Sequence, residues 1–122
     1  MQYLALIYAT PGSGPAYGTP EFKAWMDAYF AFSAFLKEKG AFVSGDGLRG
    51  TDTATTVRLR GGKVETMDGP FAETKEHLGG YYLMEVPDLD TALKYAAMIP
   101  TAAHGSIEVR PVMVYDGAGQ MA

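Results

Sequence analysis

Three segments of this chain carry apolar side chains on both faces of a period-two pattern, yet only two helical segments exist to cover them. In residues 2–9, Tyr3, Ala5 and Ile7 alternate with Leu4, Leu6 and Tyr8. Residues 80–86 (Gly-Tyr-Tyr-Leu-Met-Glu-Val) and a last segment from Ser106 to Tyr115 share that character. A strand apolar on both faces needs cover on both. Two helices shield one face of one sheet, so a twin sheet is expected on the other, which makes a homodimer the expected assembly.

The helices announce themselves by their ends. Thr19 is the expected N-cap of the first, Pro20 suits its opening position and Glu21 the positive end of its dipole. Phe22, Trp25, Met26, Tyr29, Ser33 and Leu36 recur at helical spacing and form its expected buried stripe, with Gly40 as the stop. Phe35 falls off that stripe, an exposed aromatic that hints at a further contact surface. The second helix starts at the cap Asp88, carries Leu89, Ala92, Leu93, Ala96 and Ile99 on one side and stops at Pro100.

Between the helices, residues 41–48 read as a strand with a Gly45-Asp46-Gly47 irregularity. A hairpin follows, turning on Gly61-Gly62. Pairing back from that turn sets Leu59 opposite Val64, Arg58 opposite Glu65 and Val57 opposite Thr66, so apolar meets apolar and cation meets anion. Residues 68–79 read as a polar loop. The resulting order is that of a ferredoxin-like βαββαβ α+β sandwich with an inserted β-hairpin, in one domain spanning 1–122.

Composition narrows the function classes. A net charge of −4 leaves no basic excess for phosphates, which argues against a nucleic-acid binder. Cysteine is absent, which removes thiolate catalysis and Cys–metal centres and fits a reducing compartment. The amino terminus lacks a cationic lead and a long apolar run, so no signal peptide, no membrane partner and a cytoplasmic location are expected.

The densest group of reactive side chains is Asp68-Gly69-Pro70-Phe71-Ala72-Glu73-Thr74-Lys75-Glu76-His77-Leu78-Gly79-Gly80-Tyr81. This stretch resembles the DGPF branch of the YCII-related superfamily. Tyr3–Tyr8, Thr53–Arg58, Val86–Asp90 and Ile107–Val112 look like further blocks of that family, in the same order. The resemblance implies a dimeric α+β barrel. It also implies a neighbourhood with sigma factors of the extracytoplasmic-function type, and a pocket His–Asp pair in the wider group. The first helix here holds no histidine, and the two histidines are His77 and His104, so that pair does not transfer directly.

Each candidate residue has two readings. Asp68 reads as a general base or as an Asx-turn residue. Glu73 and Glu76 with Asp68 read as a carboxylate group with one raised pKa, or as a solvated loop paired with Lys75. His77 reads as a proton carrier or as a residue that only bonds backbone or water. Glu73, Lys75, Glu76 and Tyr81 stand as candidate ligand contacts. Glu108 and Arg110, with Glu85 nearby, read as a cavity holding an anion in the Arg110 fork, or as a structural ion pair.

No metal or cofactor site is expected. Glu73, Glu76 and His77 lack the spacing that sets two imidazoles on one helical face, and Gly12-Ser13-Gly14 with Gly18 lacks the Lys of a phosphate loop. Trp25, Tyr29 and Phe30 read as core whose rim walls an apolar pocket between helix and sheet. Three functions follow: a small-molecule-binding sensor or accessory domain, a cofactor-independent proton-transfer isomerase, lyase or hydrolase using Asp68 or His77 with Arg110, or an interaction module using Phe35 and the dimer face.

Overall fold

The computed structural model describes residues 1–121 and places six strands and two helices in the anticipated order. The strands are β1 (Gln2–Ala9), β2 (Phe42–Gly47), β3 (Thr55–Arg60), β4 (Lys63–Asp68), β5 (His77–Glu85) and β6 (Ser106–Pro111). The helices are α1 (Pro20–Glu38) and α2 (Leu89–Ala96). Four strands form one antiparallel sheet in the order β2-β5-β1-β6, the arrangement of a ferredoxin-like fold, while β3 and β4 form a separate two-stranded sheet.

Local chemistry sets the element boundaries. The Thr19 hydroxyl accepts the amide proton of Phe22 at 3.1 Å, satisfying one of the donors that every helix start leaves over. Asp88 does the same for Thr91 at 2.8 Å, and this bond to the charged form holds its carboxyl below the usual range. In the hairpin, Gly61 and Gly62 take φ of 56° and 77°, as a primed two-residue turn requires. Leu59↔Val64, Arg58↔Glu65 and Val57↔Thr66 pair as expected.

The period-two pattern sorts the faces of the main sheet. Tyr3, Ala5 and Ile7 of β1 and Tyr82 and Met84 of β5 are buried against Phe32 and Leu36 of α1 and Ala92 and Ala96 of α2. Each large side chain buried there contributes about 1.5–3 kcal/mol relative to exposure. Leu4, Leu6, Tyr8, Tyr81 and Leu83 lie on the opposite face, where the ladder sets Leu4 beside Leu83 and Leu6 beside Tyr81.

Four details differ from the expectation. Phe35 is not an exposed aromatic. It packs edge-on against Tyr95 at 5.2 Å and stacks near Phe32, joining α1 to α2. The buried stripe of α1 is rotated toward Phe32, because α2 approaches from that side, and Phe22, Trp25, Met26 and Tyr29 are only half-buried. Strand β5 begins at His77, so the end of the expected loop is extended backbone paired with Ala9 and Tyr8. Strand β6 ends at Pro111, and Tyr115 makes only an isolated bridge to Met121.

Candidate functional site

The main cavity of the described residues lies between α1 and the β2–β5–β1 end of the sheet, with a volume of about 490 Å³. That volume suits a small molecule, since ligand sites run to roughly 300–1,000 Å³. Its origin is visible in the sheet register. The helix-facing row at this end is Ile7–Gly80–Gly47, in which two of three positions have no side chain. Above it, α1 presents Trp25, Met26, Tyr29, Phe30 and Ser33. Close packing fails here because the sheet supplies too little volume to meet the helix.

One row deeper, Gly45 serves a different purpose. A Cβ built there would lie 2.6 Å from Cδ1 of Tyr82, so the missing side chain lets the Tyr82 ring lie flat across β2. Tyr82 is 7% exposed, and its ring forms the inner wall, edge-on to Phe32 at 5.0 Å.

The wall is apolar with discrete hydroxyl contacts. The Ser33 and Tyr82 hydroxyls share a hydrogen bond of 2.9 Å, and Tyr29 and Thr101 share a short one. Burial pushes the Tyr29 and Tyr82 phenols above their ordinary value, only partly offset by these bonds, so both remain protonated at neutral pH. The indole Nε1–H of Trp25 is buried with no acceptor among the described residues. Asp46 and Tyr81 pair in the row that faces away from α1, where the Tyr81 hydroxyl donates to Asp46 at 2.9 Å, and His104 borders the cavity opening. No lysine or arginine lines this cavity.

Comparison with known proteins decides the lineage. Residues 1–116 match the YCII-related domain. The chain belongs to the YCII-related family. A relative from Rhizobium meliloti (strain 1021), named only as an uncharacterized protein, is 37% identical over 117 residues, covering 94% of each chain. A solved structure, the 5-chloro-2-hydroxyhydroquinone dehydrochlorinase of Burkholderia phenoliruptrix AC1100 in complex with 2,5-dihydroxybenzoquinone, superposes with a TM-score of 0.53 at 17% identity. It spans 98% of this chain and 100% of that one. At that identity the likeness shows the fold.

This YCII-related domain does not gather the reactive residues of the 68–81 stretch into one site. Asp68 ends β4 opposite Thr55, exposed on the separate hairpin, and its carboxylate caps no backbone amide among the described residues. Glu73 and Lys75 are exposed and make no hydrogen bond or ion pair among the described residues. Glu76 is half-buried as an anchor, with its carboxylate accepting from Ser106 at 2.9 Å and its carbonyl from Thr74. His77 shares a 2.9 Å hydrogen bond between Nδ1 and the Thr51 hydroxyl, beside the sheet end. Tyr81 alone of the group borders the cavity.

Glu108 and Arg110 are exposed on the outer face, opposite Leu6 and Leu4, and Arg110 forms no ion pair with a carboxylate among the described residues. Arg110 sits beside Leu4 and His77 beside Ala9, five residues apart on β1 and therefore about 17 Å apart along the sheet. An arginine fork and a histidine so separated do not act on one small substrate. The expectation of an Asp68–His77–Arg110 constellation is corrected for this physical reason.

The cavity residues that the reactive-residue reading missed are Ser33, Tyr82, Thr101 and His104. A signal did exist in Gly45-Asp46-Gly47 and Gly79-Gly80, two side-chain-poor segments that pair across β2 and β5. No helix among the described residues is long and apolar enough to cross a membrane.

Proposed function

We propose that this YCII-related domain is a small-molecule-binding protein whose ligand occupies the cavity between α1 and the glycine-floored end of the sheet. The supporting observation is that cavity itself: about 490 Å³, walled by Trp25, Tyr29, Phe30 and Tyr82 over a floor of glycines. An anionic ligand held by Arg110 is disfavoured by the lack of any cationic lining residue.

The test is a fragment screen by ligand-observed NMR against the wild-type chain and Gly47→Leu. A Cβ at Gly47 meets nothing nearer than the Gly79 carbonyl at 4.0 Å, so leucine enters the cavity without a backbone clash. Fragment hits that vanish in Gly47→Leu support the reading. Hits that all persist overturn it.

Catalysis is the second reading, and one observation favours it: His104 borders the cavity. A related fold carries an enzyme, the dehydrochlorinase. A proton-transferring base here would be His104 instead of Asp68 or His77. Deuterium incorporation into a bound ligand, lost in His104→Gln, is the expected sign, and its absence refutes proton transfer.

The outer sheet face, with Leu4, Leu6, Tyr8 and Leu83, is proposed to pack against the same face of a second copy, ringed by Glu108 and Arg110. Light scattering should report a dimer at micromolar concentration and a monomer for Leu6→Arg. A wild-type monomer refutes the pairing. The DGPF motif at Asp68–Phe71 supports placement in that branch, and a sensor role beside a sigma factor rests on that motif alone.

A further inference from the structure

We propose that the β3–β4 hairpin is an arm whose apolar face packs on a second copy of this chain. This rests on the face-to-face dimer proposed above and adds to it a surface outside the main sheet.

The two faces of the hairpin differ in kind. Side chains opposed across an antiparallel ladder share a face, so Thr55, Val57 and Leu59 lie with Val64, Thr66 and Asp68. The reverse face carries Arg58, Arg60, Lys63 and Glu65, with Thr56 and Met67. A ribbon divided in this way has one side for water and one for cover. The chain itself supplies little cover: β3 and β4 have six residues each, and Thr56 alone of them is even partly buried. Val57, Leu59 and Val64 are 65%, 64% and 70% exposed. A lone hairpin is marginal in water, so this apolar face needs a partner.

Area points to a second copy. The outer face of the four-stranded sheet measures roughly 20 by 20 Å, so two such faces bury only about 800 Å² between them. Stable interfaces bury roughly 1,200–2,000 Å². Each hairpin face measures about 20 by 10 Å and covers an equal patch beneath it, so two arms bring the total to about 1,600 Å². Charge agrees. Residues 58–65 hold three cations and one anion, a net +2, and the whole chain is at −4, so the remainder carries −6. A cationic arm is steered toward a second copy of this acidic chain and away from the other arm.

Sedimentation equilibrium of the full chain tests the arm, with Leu59→Glu/Val64→Glu on the apolar face and Met67→Ser on the reverse face as the control. The double variant should weaken self-association at least about a hundredfold, because it places two carboxylates in each apolar contact. Met67→Ser should stay within about threefold of wild type.

Wild-type affinity in the double variant overturns the arm, and a monomeric Leu6→Arg in the same buffer then leaves the sheet-face dimer standing. A loss in Met67→Ser equal to that of the double variant overturns the choice of face. A wild-type monomer overturns both the arm and the dimer it rests on. Should the double variant not fold, hydrogen exchange on the wild-type chain decides. Amides of residues 55–68 should gain protection as concentration rises through the dimer dissociation constant. Equal protection in monomer and dimer overturns the arm, and if that protection is already high in the monomer, the hairpin folds on its own domain.

Discussion

The hydrogen bond between Ser33 and Tyr82 ties α1 to β5 across the cavity wall, and a double-mutant cycle should measure it. The perturbations are Ser33→Ala, Tyr82→Phe and the pair. The hydroxyls lie 2.9 Å apart, and Tyr82 is 7% exposed, so removing one leaves the other poorly hydrated. A buried group stranded in this way costs about 1–3 kcal/mol, and cavity water should keep the cost near the lower bound. Ser33→Ala also regains helix propensity in α1, a few tenths of a kcal/mol, so its net loss should be about 0.5–1.5 kcal/mol. Tyr82→Phe should lose about 1–2 kcal/mol. The double variant strands nothing and should fall short of the summed losses by about 1 kcal/mol. The assay is urea unfolding at neutral pH, where a slope of about 2 kcal/mol per molar turns 1 kcal/mol into a midpoint shift of about 0.5 M. Additivity within about 0.3 kcal/mol would show that the two hydroxyls are independently solvated, and the picture of a bonded inner wall would be wrong.

Alkaline pH should destabilise the fold through its buried phenols. Burial raises Tyr29 and Tyr82 above their ordinary value, so above about pH 10 the unfolded chain releases these protons first. Their contribution is therefore complete below about pH 10 and is lost as pH rises through the folded-state values; Tyr29→Phe should flatten that decline, and equal slopes in both chains would refute the assignment. Gly45→Ala should push the Tyr82 ring out of place, since its Cβ would lie 2.6 Å from Cδ1, at a cost of about 1–3 kcal/mol. A melting temperature within a degree or so of wild type would show that the ring has room to move.

Much of the fold was legible in local chemistry. Thr19 and Asp88 cap helices because their side chains accept amide protons two or three residues ahead, which needs no distant partner. The Gly61-Gly62 turn fixed the whole hairpin register through backbone geometry, and the period-two pattern of residues 2–9 divided the side chains into two sets, of which the structure buries Tyr3, Ala5 and Ile7 against the helices. The direction in which Phe35 points was not legible. It depends on where α2 crosses α1, and Tyr95 is 60 positions away in sequence.

The candidate site divides along the same line. Side-chain chemistry alone drew attention to Asp68, His77 and Arg110, because an acid, a base and a cation together suggest a shared site. Tertiary structure placed them on a hairpin, a sheet end and an outer face, since strand pairing spreads neighbouring residues by about 3.3 Å each in alternating directions. What the amino-acid order determined by itself was local: caps, turns, strand faces and the supply of apolar surface. The cavity exists only once β2 pairs with β5 and sets Gly47 beside Gly80 beneath Tyr29 and Ser33, because a deficit of volume belongs to no single segment and appears where segments meet.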